Sequence, residues 1–230
     1  MVCMAMALCV SCKKDNAEPN GGGTGGGGNT GGGVTGDHEY VDLGLPSGLL
    51  WATCNVGADS PEDYGDYFAW GETETKDDYD WSTYKWCNGS GDNLTKYNTY
   101  SNYGTVDNKT VLDLEDDASH VSWGGGWRTP TSAEWQELYD NTYNVWTTDG
   151  NVAGRKFISL KEADKFIFLP AAGRRHGTSL NGAGSDGLYW SSSLYSSFPY
   201  GAYYVYFDSS DVFPRDSNYR DYGFTVRPVR

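Results

Sequence analysis

Carboxylates, histidines, serines and cysteines are the side chains in this 230-residue chain that could do chemistry unaided. The densest acidic group is Asp113, Glu115, Asp116 and Asp117 with His120. Hard cations need several converging oxygens, but this spacing does not follow the EF-hand pattern. As the start of a helix the same carboxylates suit the helix dipole and need no metal. Calcium there is disfavoured, and the sequence assigns no metal and no cofactor. His38, His120 and His176 lie far apart and lack zinc-ligand spacing. Ser191, Ser192 and Ser193 have no nucleophile-elbow context. Asp66, Glu72, Glu74 and Asp208 are available for an enzyme acting on surface polysaccharide, which needs two carboxylates facing each other across a cleft. Nothing in their spacing fixes such a pair. No catalytic residue is assigned, and the chain reads as a non-enzyme.

Binding chemistry is better represented. From Tyr189 to Tyr222, Tyr and Ser supply sixteen of thirty-four positions, with Asp, Asn, Gly and Arg among the rest. That is the composition of an antibody combining site, where Tyr gives large contact area at low rotamer entropy and Ser, Gly and Asn give adaptable hydrogen bonds. In the run 202–207, alternation sends Tyr203, Val205 and Phe207 one way and Tyr204 and Tyr206 the other. The set with Val205 and Phe207 is assigned to the core, together with Trp190 and Phe224. The stretches 194–201 and 209–222 show no such period and read as loops exposing aromatic side chains, which mark interaction sites. The expected ligand contacts are Tyr195, Phe198, Tyr200, Asp211, Phe213, Arg215, Asn218, Tyr219, Asp221 and Tyr222, bordered by Arg174, Arg175 and His176. A protein or a glycan is the expected partner. The net charge of −14 and the absence of a basic stripe exclude nucleic acid.

The elements that must position these residues are short. His38 to Ala52 reads as a hairpin around a Pro46-Ser47-Gly48 turn. The section from Gly57 to Asp107 is polar, aromatic and turn-rich, with no helical period. One helix is predicted over about 112–121. A second runs from Thr129 to Tyr139, with Thr131 as N-cap, Glu134 completing a capping box, and Trp135, Leu138 and Tyr139 on one face. Strands are expected near 155–160 and 165–170. Few helices, many short strands and long loops indicate an α+β fold.

The amino end reads as an export signal and tether. Residues 1–12 resemble the tail of a lipoprotein signal peptide, cleaved so that Cys12 comes first and carries lipid. The apolar run is too short to span a bilayer. Residues 13–37 hold eleven of the thirty-one glycines and little to bury, which predicts a flexible tether. The folded domain is placed at 38–230, lipid-anchored at the outer membrane or cell surface. Once the signal is removed and Cys12 acylated, Cys54 and Cys87 remain, to form a disulfide or to stay as buried thiols.

Four motifs carry a family resemblance. They are Leu45-Pro46-Ser47-Gly48-Leu49-Leu50-Trp51-Ala52, the stretch Trp123 to Thr131 with Glu134-Trp135, Phe168-Leu169-Pro170-Ala171-Ala172-Gly173-Arg174, and Gly223 to Val229. In this order they resemble the Fibrobacter succinogenes major paralogous domain family of bacterial surface lipoproteins. The resemblance implies a C-type-lectin-like fold related to the formylglycine-generating enzymes. Those enzymes work through copper-binding cysteines near the carboxy terminus, and this chain has no cysteine after Cys87. The carbohydrate-binding tripeptide Glu18-Pro19-Asn20 falls in the tether, and Trp190-Ser191-Ser192 lacks the carboxylate of calcium-dependent lectins, so calcium-mediated sugar recognition is not expected. Some members of the family are targets of diversity-generating retroelements, which rewrite carboxy-terminal codons towards residues such as Tyr, Ser, Asp and Asn. A structural or fimbrial role is the remaining alternative.

Overall fold

The computed structural model describes residues 38–230 in full and the backbone of Gly32–Thr35. The expected signal segment, lipidated Cys12 and most of the tether lie outside the described residues. In chain order the elements are β1 (Gly32–Thr35), β2 (His38–Asp42), β3 (Leu50–Ala52), α1 (Ala118–Trp123), α2 (Ser132–Asp140), β4 (Thr142–Asp149), β5 (Val152–Ser159), β6 (Phe166–Pro170), β7 (Arg174–His176), β8 (Ser179–Asn181), β9 (Gly187–Leu194), β10 (Gly201–Phe207) and β11 (Val212–Tyr219). The sheets are small and antiparallel, ordered β1-β2-β3, β4-β5-β6, β7-β8 and β11-β10-β9. With two short α-helices among the described residues, the architecture is α+β bordering on mainly β.

Local chemistry accounts for several of these elements. Thr131 accepts from the Glu134 N–H at 3.3 Å, and Glu134 accepts from the Thr131 N–H at 2.7 Å, closing the expected capping box. Glu134 also forms a bidentate pair with Arg128. Trp135 and Leu138 are buried as expected, whereas Tyr139 is exposed because it points off the packed stripe. The predicted 112–121 helix is instead a 3-10 turn at Leu114–Asp116 followed by α1. Asp117 is the reason, since its carboxylate caps α1 by accepting from the Ser119 and His120 N–H groups. β1 starts the first sheet inside the expected tether, pairing Gly32 with Val41.

Sheet β9–β10–β11 divides the core. On one face Tyr189, Val205 and Phe207 join Trp51, Trp135, Leu138, Phe157 and Leu169. On the other, Leu188, Trp190 and Tyr204 join Phe68, Trp70, Tyr97, Phe224 and Val226. Covering both faces explains why the run 202–207 has hardly any polar alternation, and why Tyr204, read from the sequence as the outward set, is buried.

The four motifs meet at one place. Val229 forms isolated bridges to both Trp51 and Arg128, and Leu50 and Arg230 exchange backbone hydrogen bonds. Arg227 is fully buried with no carboxylate. Its guanidinium donates instead to Ala52 O, Thr53 O, Phe168 O and Asn55 Oδ1, and burial lowers its pKa to about 10. The motifs are therefore frame, holding the chain's last residues against β3 and β6.

Candidate ligand-binding surface

The turn between β9 and β10 is closed by backbone bonds Phe198 N to Tyr195 O and Gly201 N to Phe198 O. Beneath it lies Arg220, fully buried and also without a carboxylate. It donates to Pro199 O, Tyr97 O, Lys96 O and the Tyr84 hydroxyl, and it stacks 5.1 Å above the Trp70 ring and 5.2 Å from that of Tyr84. One cation thus ties the 195–200 turn to the 84–97 loops, in the weakly hydrated, planar form that suits buried guanidinium.

Above this anchor runs a belt of touching rings. Tyr203 to Tyr195 is 5.2 Å between centroids, Tyr195 to Phe198 and Phe198 to Tyr200 are each 5.8 Å, and Tyr200 to Tyr219 is 5.7 Å. The belt continues from Tyr219 to Tyr222 at 5.8 Å and from Tyr222 to His176 at 4.4 Å. Arg215 lies over Tyr203 and Arg174 over Tyr222. Tyr103 and Trp81 abut it from the middle section, at 5.3 Å from Tyr200 and 6.4 Å from Tyr219. Where Trp81 meets Tyr200 and Tyr219, a shallow recess of about 260 Å³ opens, completed by Ser90, Gly91 and Asp92. Gly91 keeps the approach close, since a Cβ there would lie 3.0 Å from the Trp81 indole and the ring would have to give slightly. Burial, then the neighbouring Tyr103, Tyr219 and Asp92, raise the Tyr200 hydroxyl pKa.

The expected contacts are only partly brought together. Tyr195, Phe198, Tyr200, Tyr219, Tyr222, His176, Arg174 and Arg215 belong to the belt or touch it. Residues 212–219 are not a loop. They form β11, an edge strand paired with β10 through Tyr203–Ser217 and Tyr204–Asp216. Asp211 and Phe213 consequently sit at the opposite end of that hairpin, about 20 Å from Tyr219 at the rise of an extended strand. Asp211 belongs to the 208–211 turn, and Phe213 packs on Tyr206. Arg175 lies over Tyr67 and bridges Gly223 through its backbone, which makes it frame. Asn218 is half-buried and accepts the Tyr219 N–H. Asp221 is only 1% exposed, so it is no surface contact. Its Oδ1 is buried without a hydrogen-bond partner, and burial, with Asp80 nearby, pushes its pKa up to about 7.

Trp81, Tyr103 and the Ser90-Gly91-Asp92 turn were not singled out from the sequence. The aromatic density of 80–86 was the available signal, but nothing local tied it to residues more than a hundred positions away.

Several of the remaining chemical candidates have structural partners. Lys96 bridges Asp113 at 2.6 Å and Asp116 at 2.5 Å, and Asp117 accepts from Thr129 as well as capping α1. Glu72 is paired with Lys76 and accepts the Lys85 N–H, while Asp208 organises its own turn. Asp92 is the one carboxylate lining the recess. Cys87 is a free thiol donating to Trp81 O, so the Cys54–Cys87 disulfide is not formed. Cys54 is disulfide-bonded.

A family described as a domain of unknown function (DUF8237) matches residues 144–229. The matched stretch carries β5–β11 and every residue of the belt from His176 to Tyr222, while Trp81 and Tyr103, which abut it, lie outside. No curated protein and no solved structure matches the chain.

Proposed function

We propose that the chain is a surface-anchored, non-catalytic binding protein whose aromatic belt receives a protein or glycan ligand. The observation that carries this reading is the belt itself. Six aromatic residues from Tyr195 to Tyr222 and His176 touch in series, rimmed by two arginines, on a frame held rigid by buried Arg220. Contiguous aromatic surface of this kind, exposed at Phe198, Tyr219 and His176 and half-buried elsewhere, supplies contact area at low entropic cost. Small antiparallel sheets, short helices, long loops and the meeting of the four motifs support a C-type-lectin-like fold and membership of the family they resemble.

A glycan and protein array probed with the chain, with and without calcium, tests the reading. Binding is expected, and Tyr219→Ala should abolish it while Phe213→Ala leaves it intact. Loss with Phe213→Ala alone would move the site to the other end of the hairpin. Diversification by a retroelement is the narrower form of the proposal, and it requires a reverse transcriptase gene and a near-copy of the carboxy-terminal coding sequence nearby. The lipid anchor is tested separately. The mature exported protein should begin at Cys12 with its thiol acylated, as read by mass spectrometry of the amino-terminal peptide. Residues 1–11 retained, or an unacylated Cys12, would sink the anchor.

A further inference from the structure

We propose that the recess between Trp81, Tyr200 and Tyr219 binds a quaternary ammonium head, with the Asp92 carboxylate as its counter-charge. The proposal rests on the belt being a binding surface and names the ligand chemistry at one point of it. The recess has aromatic walls on two sides. Trp81 and Tyr219 stand at 73° to each other, and Tyr200 and Tyr219 at 44°. A pyranose ring prefers one flat platform against its apolar face. Rings tilted around a hollow instead offer a small, weakly hydrated cation contact with more than one of them at once.

The rest of the lining agrees. No lysine or arginine borders the recess, and its only charged residue is Asp92, which is exposed beside Tyr200. The whole chain carries a net charge of −14, so the surrounding field favours a cation over an anion. The walls are also fixed before any ligand arrives. Gly91 packs against the indole of Trp81, Trp81 is set edge-on to Tyr84, and the Tyr200 backbone carbonyl accepts the Arg220 N–H. A site that needs no rearrangement keeps more of its interaction energy as affinity. At about 260 Å³ and open to solvent, the recess has room for a trimethylammonium group presented on a longer molecule. That head can be free, as in choline, or carried on a phosphocholine group.

Isothermal titration calorimetry on the full chain tests this with choline chloride, phosphocholine, the uncharged isostere 3,3-dimethylbutan-1-ol and methyl glycosides. Choline is expected to bind with a dissociation constant in the millimolar range or below, and the isostere roughly tenfold more weakly or not at all. Asp92→Asn and Tyr219→Ala should each weaken choline by roughly five- to tenfold, and neither residue belongs to the core. Phe213→Ala should have no effect. Tighter binding of phosphocholine than of choline would identify the headgroup as the source, and the reverse order free choline. Equal binding of the uncharged isostere, indifference to Asp92→Asn, or binding of a methyl glycoside without choline would overturn the proposal. So would the absence of heat with every cation. An array hit without choline binding strikes this proposal alone, whereas neither an array hit nor choline binding strikes the wider reading with it.

Discussion

Two kinds of buried charge set the chemistry of individual residues here. Arg220 and Arg227 are enclosed without carboxylates, yet each satisfies its donors on backbone carbonyls and one side-chain oxygen. Asp221, next in sequence to Arg220, has no such provision on Oδ1. An aspartate in an unfolded chain titrates near 3.9, whereas this one titrates at about 7 in the fold. Between those values the folded protein holds the extra proton, so the stability Asp221 contributes is complete below about pH 4 and is lost as pH rises towards 7. The shift corresponds to something on the order of 4 kcal/mol as an upper figure, with no exposed surface to screen it. Below pH 4 the trend reverses, because Asp107, Asp113, Asp208 and Glu134 have lowered pKa values and lose their stabilising charge there. Asp221→Asn is therefore expected to raise the urea midpoint at pH 8 and to flatten its dependence between pH 5 and pH 8. A variant that keeps the wild-type slope would show that another group is responsible.

The hairpin β10–β11 and its neighbour β9 carry the site, and their packing is close. Gly187, opposite Phe207 in the β9–β10 pairing, faces its ring so closely that a Cβ would lie 2.0 Å from it. Gly187→Ala should therefore displace Phe207 from the first core and destabilise the protein by about 3 kcal/mol. A urea titration showing less than 1 kcal/mol would mean that Phe207 has room to move. The sequence disclosed the elements with strong local signals: the 38–52 hairpin, the capping box of α2, and strands near β5 and β6. It concealed β11, because Val212-Phe213-Pro214-Arg215-Asp216-Ser217-Asn218-Tyr219 has no period and contains a proline. An edge strand tolerates both, since one side of its ladder needs no partner. It also concealed the outer burial of Tyr204, because alternation identifies two faces but not whether a second core covers the other. The site was legible for its carboxy-terminal half, where composition was extreme. Its other wall, Trp81 with Ser90 to Asp92, is assembled by long-range contacts that no local pattern encodes.

Both cores are closed by the same eight residues. From Gly223 to Arg230 the chain bridges Arg175, Phe68, Tyr189, Arg128 and Trp51 in turn. Phe224 and Val226 belong to the second core and Val229 to the first. Sheet β9–β10–β11 lends one face to each, so neither core can open without exposing the other's sheet. Independent cores would unfold as separate units with their own free energies, whereas cores sharing a sheet and a terminal strap should unfold together. Val229→Ala and Val226→Ala each remove two methyl groups from a buried site and should cost about 2–3 kcal/mol. Hydrogen exchange followed by mass spectrometry distinguishes the cases. In a coupled molecule, Val229→Ala lowers the protection of β9 amides and of residues 68–70 by equal free energies, and Val226→Ala does the same to β5 and β6. If each variant instead loosens only the core it occupies, the belt rests on two foldable halves, and the strap is a tie between them rather than part of both.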